Sequence, residues 1–155
     1  MTDSPRPTPD RLLTLPSRLL AHAAQQGDRL VSGGLAAVGA RKWHYAVLAA
    51  LQEYGPASQA ELSRRAGIYR SDMVAVLNDL ADGSHVRRTP DRDDKRRNVI
   101  TITEEGRRRL DQLDGLIDGI QGELLAPLSA AERAELVRLL SVVVAHHGDD
   151  MRDRM

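Results

Sequence analysis

The chain has 155 residues, and its 22 Lys and Arg balance 22 Asp and Glu, so no overall field draws it towards nucleic acid or a membrane surface. It has no cysteine, which excludes thiol redox chemistry, disulfides and Cys-ligated metal centres. No apolar run approaches the ~18 residues of a membrane span, and no basic-then-apolar signal opens the chain; the expectation is a soluble cytoplasmic protein.

Phe is absent and aromatic residues make up 3%, so the core must be built from Leu, Val, Ile and Ala, a composition suited to helix-on-helix packing. Residues 1–9 are polar and Pro-rich and are expected to form a disordered arm. Thr8-Pro9-Asp10 can start a helical turn, with Pro9 at the first helical position. From Ser17 to about Val38 the pattern predicts a helix with Leu19, Leu20, Ala23, Leu30 and Leu35 on its apolar side. Gly27, Gly33 and Gly34 weaken it by roughly 1 kcal/mol each relative to Ala, so it needs packing against something else.

Lys42 to Tyr54 is the next predicted helix, with Trp43, Val47, Leu48 and Leu51 on its buried face, and Gly55-Pro56 stops it. Ser58-Gln59-Ala60-Glu61 is a capping box that starts a short helix through Ala66, and Gly67 supplies a turn. A second helix, about Arg70 to Asp82, turns Met73, Val76, Leu77 and Leu80 inward and has Gly83 as its C-cap. Val86 to Thr89 and Val99 to Thr103 then read as two short strands around a charged tip that is too polar to bury. Thr103-Glu104-Glu105 opens a long helix on which Leu110, Leu113, Ile117, Ile120 and Leu124 form a seam wanting a partner helix, and Pro127 closes it. Ser129-Ala130-Ala131-Glu132 caps a last helix with Leu136, Leu139, Leu140, Val143 and Val144 as its apolar stripe, and residues 149–155 read as a frayed tail.

Charge is concentrated where the strands meet. From Arg87 to Arg109 there are nine Lys or Arg (87, 88, 92, 95, 96, 97, 107, 108, 109) against five acids (91, 93, 94, 104, 105). Such a stripe is what a phosphate-contacting surface requires. A packed helical hairpin is the bland reading of the two helices before it. Against that reading, Arg70, Ser71, Val74, Ala75 and Asn78 share the outward side of the second helix. They offer a guanidinium, a hydroxyl, small apolar groups and an amide, which suit base edges in a major groove. Ser58 and Gln59, at the start of the first helix, are placed to hold a phosphate through backbone N–H groups.

Asp91-Arg92-Asp93-Asp94-Lys95-Arg96, followed by Val99 to Gly106, resembles the wing signature of the MarR (multiple antibiotic resistance regulator) family. Ser58 to Ser63 and Leu77 to Gly83 resemble its helix-turn-helix, and the likeness spans roughly residues 16–147. Arg92 stands in place of the common Pro, Ile102 in place of the common Leu, and Tyr69 where a polar cap is frequent. The resemblance implies a mainly α fold: a winged helix-turn-helix with N- and C-terminal dimerisation helices, about six helices plus a two-stranded β-wing. It divides the chain into a dimerisation helix at 10–40, a DNA-binding lobe at 41–103 and further dimerisation helices at 104–148.

By the same resemblance Arg96 matches the arginine that enters the minor groove and Asp94 the carboxylate that orients it, within a wing that also offers Arg92 and Lys95. A narrow A·T-rich groove concentrates negative potential, which agrees with that role. The family's effector cleft lies near the start of the second helix, so Arg41, Trp43 and His44 are candidates to frame a small aromatic or anionic ligand.

Asp91-x-Asp93 fails as a calcium loop because Lys95 takes a ligand position and Arg96 stands where Gly is needed. Gly34 to Gly39 fails as a P-loop because Ala40 and Arg41 replace its Lys and Ser/Thr. The five histidines (22, 44, 85, 146, 147) include no i, i+4 pair of the kind helical metal sites favour. The expectation is therefore a regulator without cofactor, metal or catalysis, acting as a homodimer on double-stranded DNA, most simply as a repressor on a palindrome. A helical protein-interaction adaptor and a metal-responsive regulator are the alternatives.

Overall fold

The computed structural model describes residues 8–152, with side-chain surroundings through residue 148. Most of the expected N-terminal arm lies outside the described residues. Among these residues there are seven helices and one small antiparallel sheet, against the six helices and two strands expected.

The chain opens with α1 (Asp10–Leu13), a single turn whose N-cap is Pro9, and α2 (Pro16–Ala37), with Pro16 in its first turn. α3 (Lys42–Tyr54) ends at Gly55. β1 (Ala57–Ser58) leads into α4 (Gln59–Ala66), where the Ser58 and Glu61 side chains and backbone N–H groups cap each other reciprocally. Gly67 (φ 66°) makes the left-handed turn into α5 (Arg70–Asp82), a conformation that costs glycine little. Gly83 takes the C-cap position at φ −78°; the left-handed residue is Ser84 (φ 61°). β2 (Val86–Pro90) and β3 (Asn98–Ile102) form the wing, and Pro90 still pairs with Asn98.

The third strand was not expected. β1 pairs with β3 through Ala57↔Ile100 and Ser58↔Val99, giving the order β1-β3-β2 and tying the wing to the N-terminus of α4. Thr103 caps α6 (Glu104–Leu124) by accepting from the Gly106 N–H at 3.0 Å. A Cβ on Gly106 would run into the His85 carbonyl, so only glycine lets α6 start this close to β2. α7 (Ala130–Arg152) follows, capped by Ser129 and Glu132, and it carries residues 149–152 of the expected frayed tail as continued helix. The remainder of that tail lies outside the described residues.

One core joins the lobe, built on Leu35, Val47, Leu48, Leu51, Leu62, Ile68, Met73, Leu77, Ile100 and Leu113. The helical seam on α6 finds its partner inside the chain: α2 packs along it. A Cβ on Gly34 would stand 2.5 Å from Ile120 Cδ1, and one on Gly27 3.3 Å from Leu124 Cδ2. The glycines that weaken α2 as a helix thus set how near it comes to α6. Trp43 is a correction: expected on the buried face of α3, it is 39% exposed. It sits at the second residue of the helix, before the core-facing turn that begins at Val47. No described helix is long and apolar enough to cross a membrane.

Candidate nucleic-acid interface and effector cleft

Local sequence builds the first face. Met73, Val76, Leu77 and Leu80 anchor α5 in the core, so the 3.6-residue period turns Arg70, Ser71, Val74, Ala75 and Asn78 out, and all five are exposed. The pairing of β1 with β3 then brings distant segments together. Ser58, Gln59 and Arg70 line one cleft of about 300 Å³ with Arg96, Arg97 and Asn98 of the wing. Three arginines from two elements thus face the start of α4, whose free backbone N–H groups and dipole favour an anion. The capping box locks that start: Glu61 accepts from the Ser58 backbone N–H at 2.8 Å and from its hydroxyl at 3.1 Å, which holds the carboxyl below its usual range.

At the wing tip Asp94 Oδ1 accepts from the Arg96 backbone N–H at 3.1 Å and lies 3.3 Å from Arg96 Nε. Arg96 is otherwise out in solvent, its side chain 93% exposed, and Arg92 and Lys95 are exposed beside it. Such an exposed pair contributes little to stability; its effect is on where the guanidinium points.

Sequence reasoning missed residues on the same face. A wider groove of about 620 Å³ shares Ala60 and Arg70 with the cleft and adds Arg64, Arg65 and Tyr69. Exposed Arg64, Arg65 and Arg70 on either side of a helix-turn were the available signal. Further along α5, Arg88 of β2 donates from Nη2 to Asn78 Oδ1 at 2.6 Å. Nothing local announces that contact, because the nine intervening residues turn through Gly83 and Ser84.

A second cleft, about 320 Å³, opens between the lobe and α6, lined by Arg41, His44, Asp79, Asp82, His85 and Arg109. Arg41 and His44 are there as expected; Trp43 is not among its lining residues. His44 Nδ1 accepts the Arg41 backbone N–H at 3.0 Å, so the ring proton is on Nε2, which donates to Asp79 Oδ2 at 3.1 Å. Arg109 reaches across to the Val38 carbonyl at 2.5 Å. Burial, then the Arg109 charge, push the His85 imidazole below its ordinary pKa against an upward pull from Glu105, with His44 adding a smaller downward push. Beyond the cleft, Tyr45 donates to Asp114 at 2.7 Å; that bond, burial and the charges of Asp114 and Asp118 push the phenol up to about 12. Among the described residues no group of three His, Cys, Asp or Glu stands together as a metal site.

Residues 39–97, from the end of α2 to the wing tip, match the model of the MarR family. This segment is similar to the MarR family. The HTH-type transcriptional repressor NicR of Pseudomonas putida is 28% identical over 100 residues, which are 64% of this chain and 63% of that one. The chain thus spans less than two thirds of this curated relative. Solved structures cover more. A probable transcriptional regulator from Pseudomonas aeruginosa superposes with TM-score 0.75 at 28% identity over 86% of this chain and 99% of its own. The PcaV transcriptional regulator of Streptomyces coelicolor, solved with its natural ligand, does so with TM-score 0.71 at 27% identity over 90% and 97%. In MarR-family terms, α4 and α5 are the helix-turn-helix and β2–β3 the wing.

Proposed function

We propose that the chain is a sequence-specific DNA-binding regulator without catalysis, acting in the cytoplasm as a homodimer on a palindromic operator and repressing transcription by occupancy. The observation that carries this is the single surface on which the exposed side of α5, the capped start of α4 and the arginines of the wing converge. In this reading Arg70, Ser71, Val74, Ala75 and Asn78 read base edges in the major groove, and Ser58 and Gln59 hold a phosphate. Arg92, Lys95 and Arg96, the last aimed by Asp94, take the flanking minor groove. The family and the repressor relative support it.

The dimer has its own support. α7 makes no extensive contact with any other described element, and Val137, Leu139, Val142, Val143 and Val144 along it are each 45–68% exposed. Leu13, Leu15, Leu19 and Leu20 at the other end of the chain add a second apolar patch. A second copy of the chain covers both most economically, with residues 10–40 and 104–148 as the dimerisation segments around a lobe at 41–103.

The cleft beneath Arg41 and His44 is the candidate site for a small aromatic or anionic effector: two guanidiniums and two imidazoles line it beside the carboxylates of Asp79 and Asp82, and PcaV is known with a bound ligand. An effector there releases DNA if it favours a lobe spacing that no longer matches successive major grooves.

The test is selection of bound sites from random duplexes with the full chain, with affinity then measured against salt. The reading expects a palindrome with half-sites about one helical turn apart, and log affinity falling steeply with log salt. Absence of any enriched sequence, with salt-independent behaviour, leaves the adaptor reading instead. Light scattering at micromolar concentration should give the dimer mass.

A further inference from the structure

Arg88 stands outside the five outward residues of α5, yet its guanidinium donates to Asn78 Oδ1 at 2.6 Å. We infer that Arg88 is a specificity-determining positioning residue: by holding Asn78 Oδ1 it turns the amide nitrogen to the base and biases that contact towards guanine. The inference rests on the DNA-reading role of α5 argued above.

A guanidinium carries five N–H donors and no acceptor, so its partner on the amide can only be Oδ1. That contact fixes which way the Asn78 side chain is turned and leaves Nδ2, with two hydrogens, as its free end. An unrestrained asparagine reads adenine by offering Oδ1 to the N6 amino group and Nδ2 to N7 together. Here the acceptor half of that pair is engaged. Oδ1 has a second lone pair, but an incoming adenine amino group would have to converge on an atom already holding a cationic donor.

The charge acts in the same direction. Arg88 is exposed and lies on β2 beside α5, so a positive charge flanks the reading side chain. Guanine presents two acceptors, N7 and O6, on its major-groove edge, whereas adenine and cytosine present amino donors. A donor-only amide beside a guanidinium therefore finds two acceptors on guanine, only N7 beside a repelling amino group on adenine, and none on cytosine. Asn78 and Arg88 are both exposed, so either can be replaced without opening the core.

Sites are selected from random duplexes with the full chain and with Asn78→Ala, Arg88→Ala and Arg88→Lys. The base pair whose preference Asn78→Ala erases is the one Asn78 reads. The expectation there is guanine over adenine by about tenfold for the unsubstituted chain, within the range a good bidentate contact supplies. Arg88→Ala should bring the two bases within about twofold, while Arg88→Lys, which still places a donor and a charge near Oδ1, keeps guanine ahead. Preferences elsewhere in the site should not move.

A uniform loss of affinity in Arg88→Ala with the preference at that position intact makes Arg88 a phosphate contact and overturns the inference. Adenine at that position in the unsubstituted chain does the same, as does an unchanged site for Asn78→Ala. If the unsubstituted chain enriches no sequence at all, it is the DNA-reading role of α5 that fails, and this inference fails with it.

Discussion

His44 and Asp79 link the cleft to α5: one ring nitrogen of His44 caps the start of α3, and the other donates to an Asp79 carboxylate on α5 at 3.1 Å. His44→Ala removes both contacts at once. Loss of a cap acceptor costs about 1 kcal/mol, and the bond to half-exposed Asp79 adds less. The expected loss of stability is about 1–2 kcal/mol, read by urea unfolding at fixed protein concentration. Asp79→Ala should cost under about 1 kcal/mol, and the double variant less than the two costs added together, by about 0.5 kcal/mol or more. Strict additivity would show that the two side chains do not interact in solution.

Gly34 faces Ile120 where α2 crosses α6. Gly34→Ala gains about 1 kcal/mol of helix propensity but drives its Cβ to 2.5 Å from Ile120 Cδ1. Ile120→Val deletes that atom. The pair Gly34→Ala with Ile120→Val should therefore be more stable than Ile120→Val alone by roughly the propensity gain, while Gly34→Ala by itself gains little or loses. Thermal melts of the four proteins check this; equal effects of Gly34→Ala in both backgrounds would mean that the crossing has slack.

The depressed pKa of His85 has a definite sign. The folded state binds the proton more weakly than the unfolded chain, whose imidazole titrates near 6.5. Its stabilising contribution is complete above the unfolded value and is lost as pH falls through that value to the lower folded one. Melting temperature should thus drop between pH 7.5 and 5.5, and His85→Gln, which cannot take up a proton, should shrink that drop. Parallel pH profiles for the two proteins would contradict the assignment.

At the wing tip, orientation and charge predict opposite outcomes. Arg96→Ala should weaken operator binding and flatten the salt dependence by about one contact. Asp94→Ala removes a negative charge near phosphates, which by electrostatics alone strengthens binding. It also frees Arg96, whose re-ordering costs ~0.5–1.5 kcal/mol. With the Asp94 charge screened over ~8 Å at physiological salt, orientation should win and binding should weaken. Tighter operator binding by Asp94→Ala would remove the orienting role of Asp94.

The sequence by itself determined what short-range chemistry controls. Ser58 and Glu61 cap each other within one turn, Gly67 makes the left-handed turn and Gly55-Pro56 breaks a helix, so α3, α4 and α5 begin and end where their residues say. The Asp94–Arg96 contact, expected from the family resemblance, is equally local, two residues apart. Only the tertiary structure decided what meets across distance. It brought β1 against β3, which closes the cleft between the start of α4 and the wing. It supplied α2 as the partner of the α6 seam through glycines that sequence alone marks as weaknesses. It left Trp43 outside the core and set Arg88 on Asn78. Periodicity tells which side of an element is apolar; how closely two elements approach, and so which polar side chains touch, depends on packing between residues far apart in the chain.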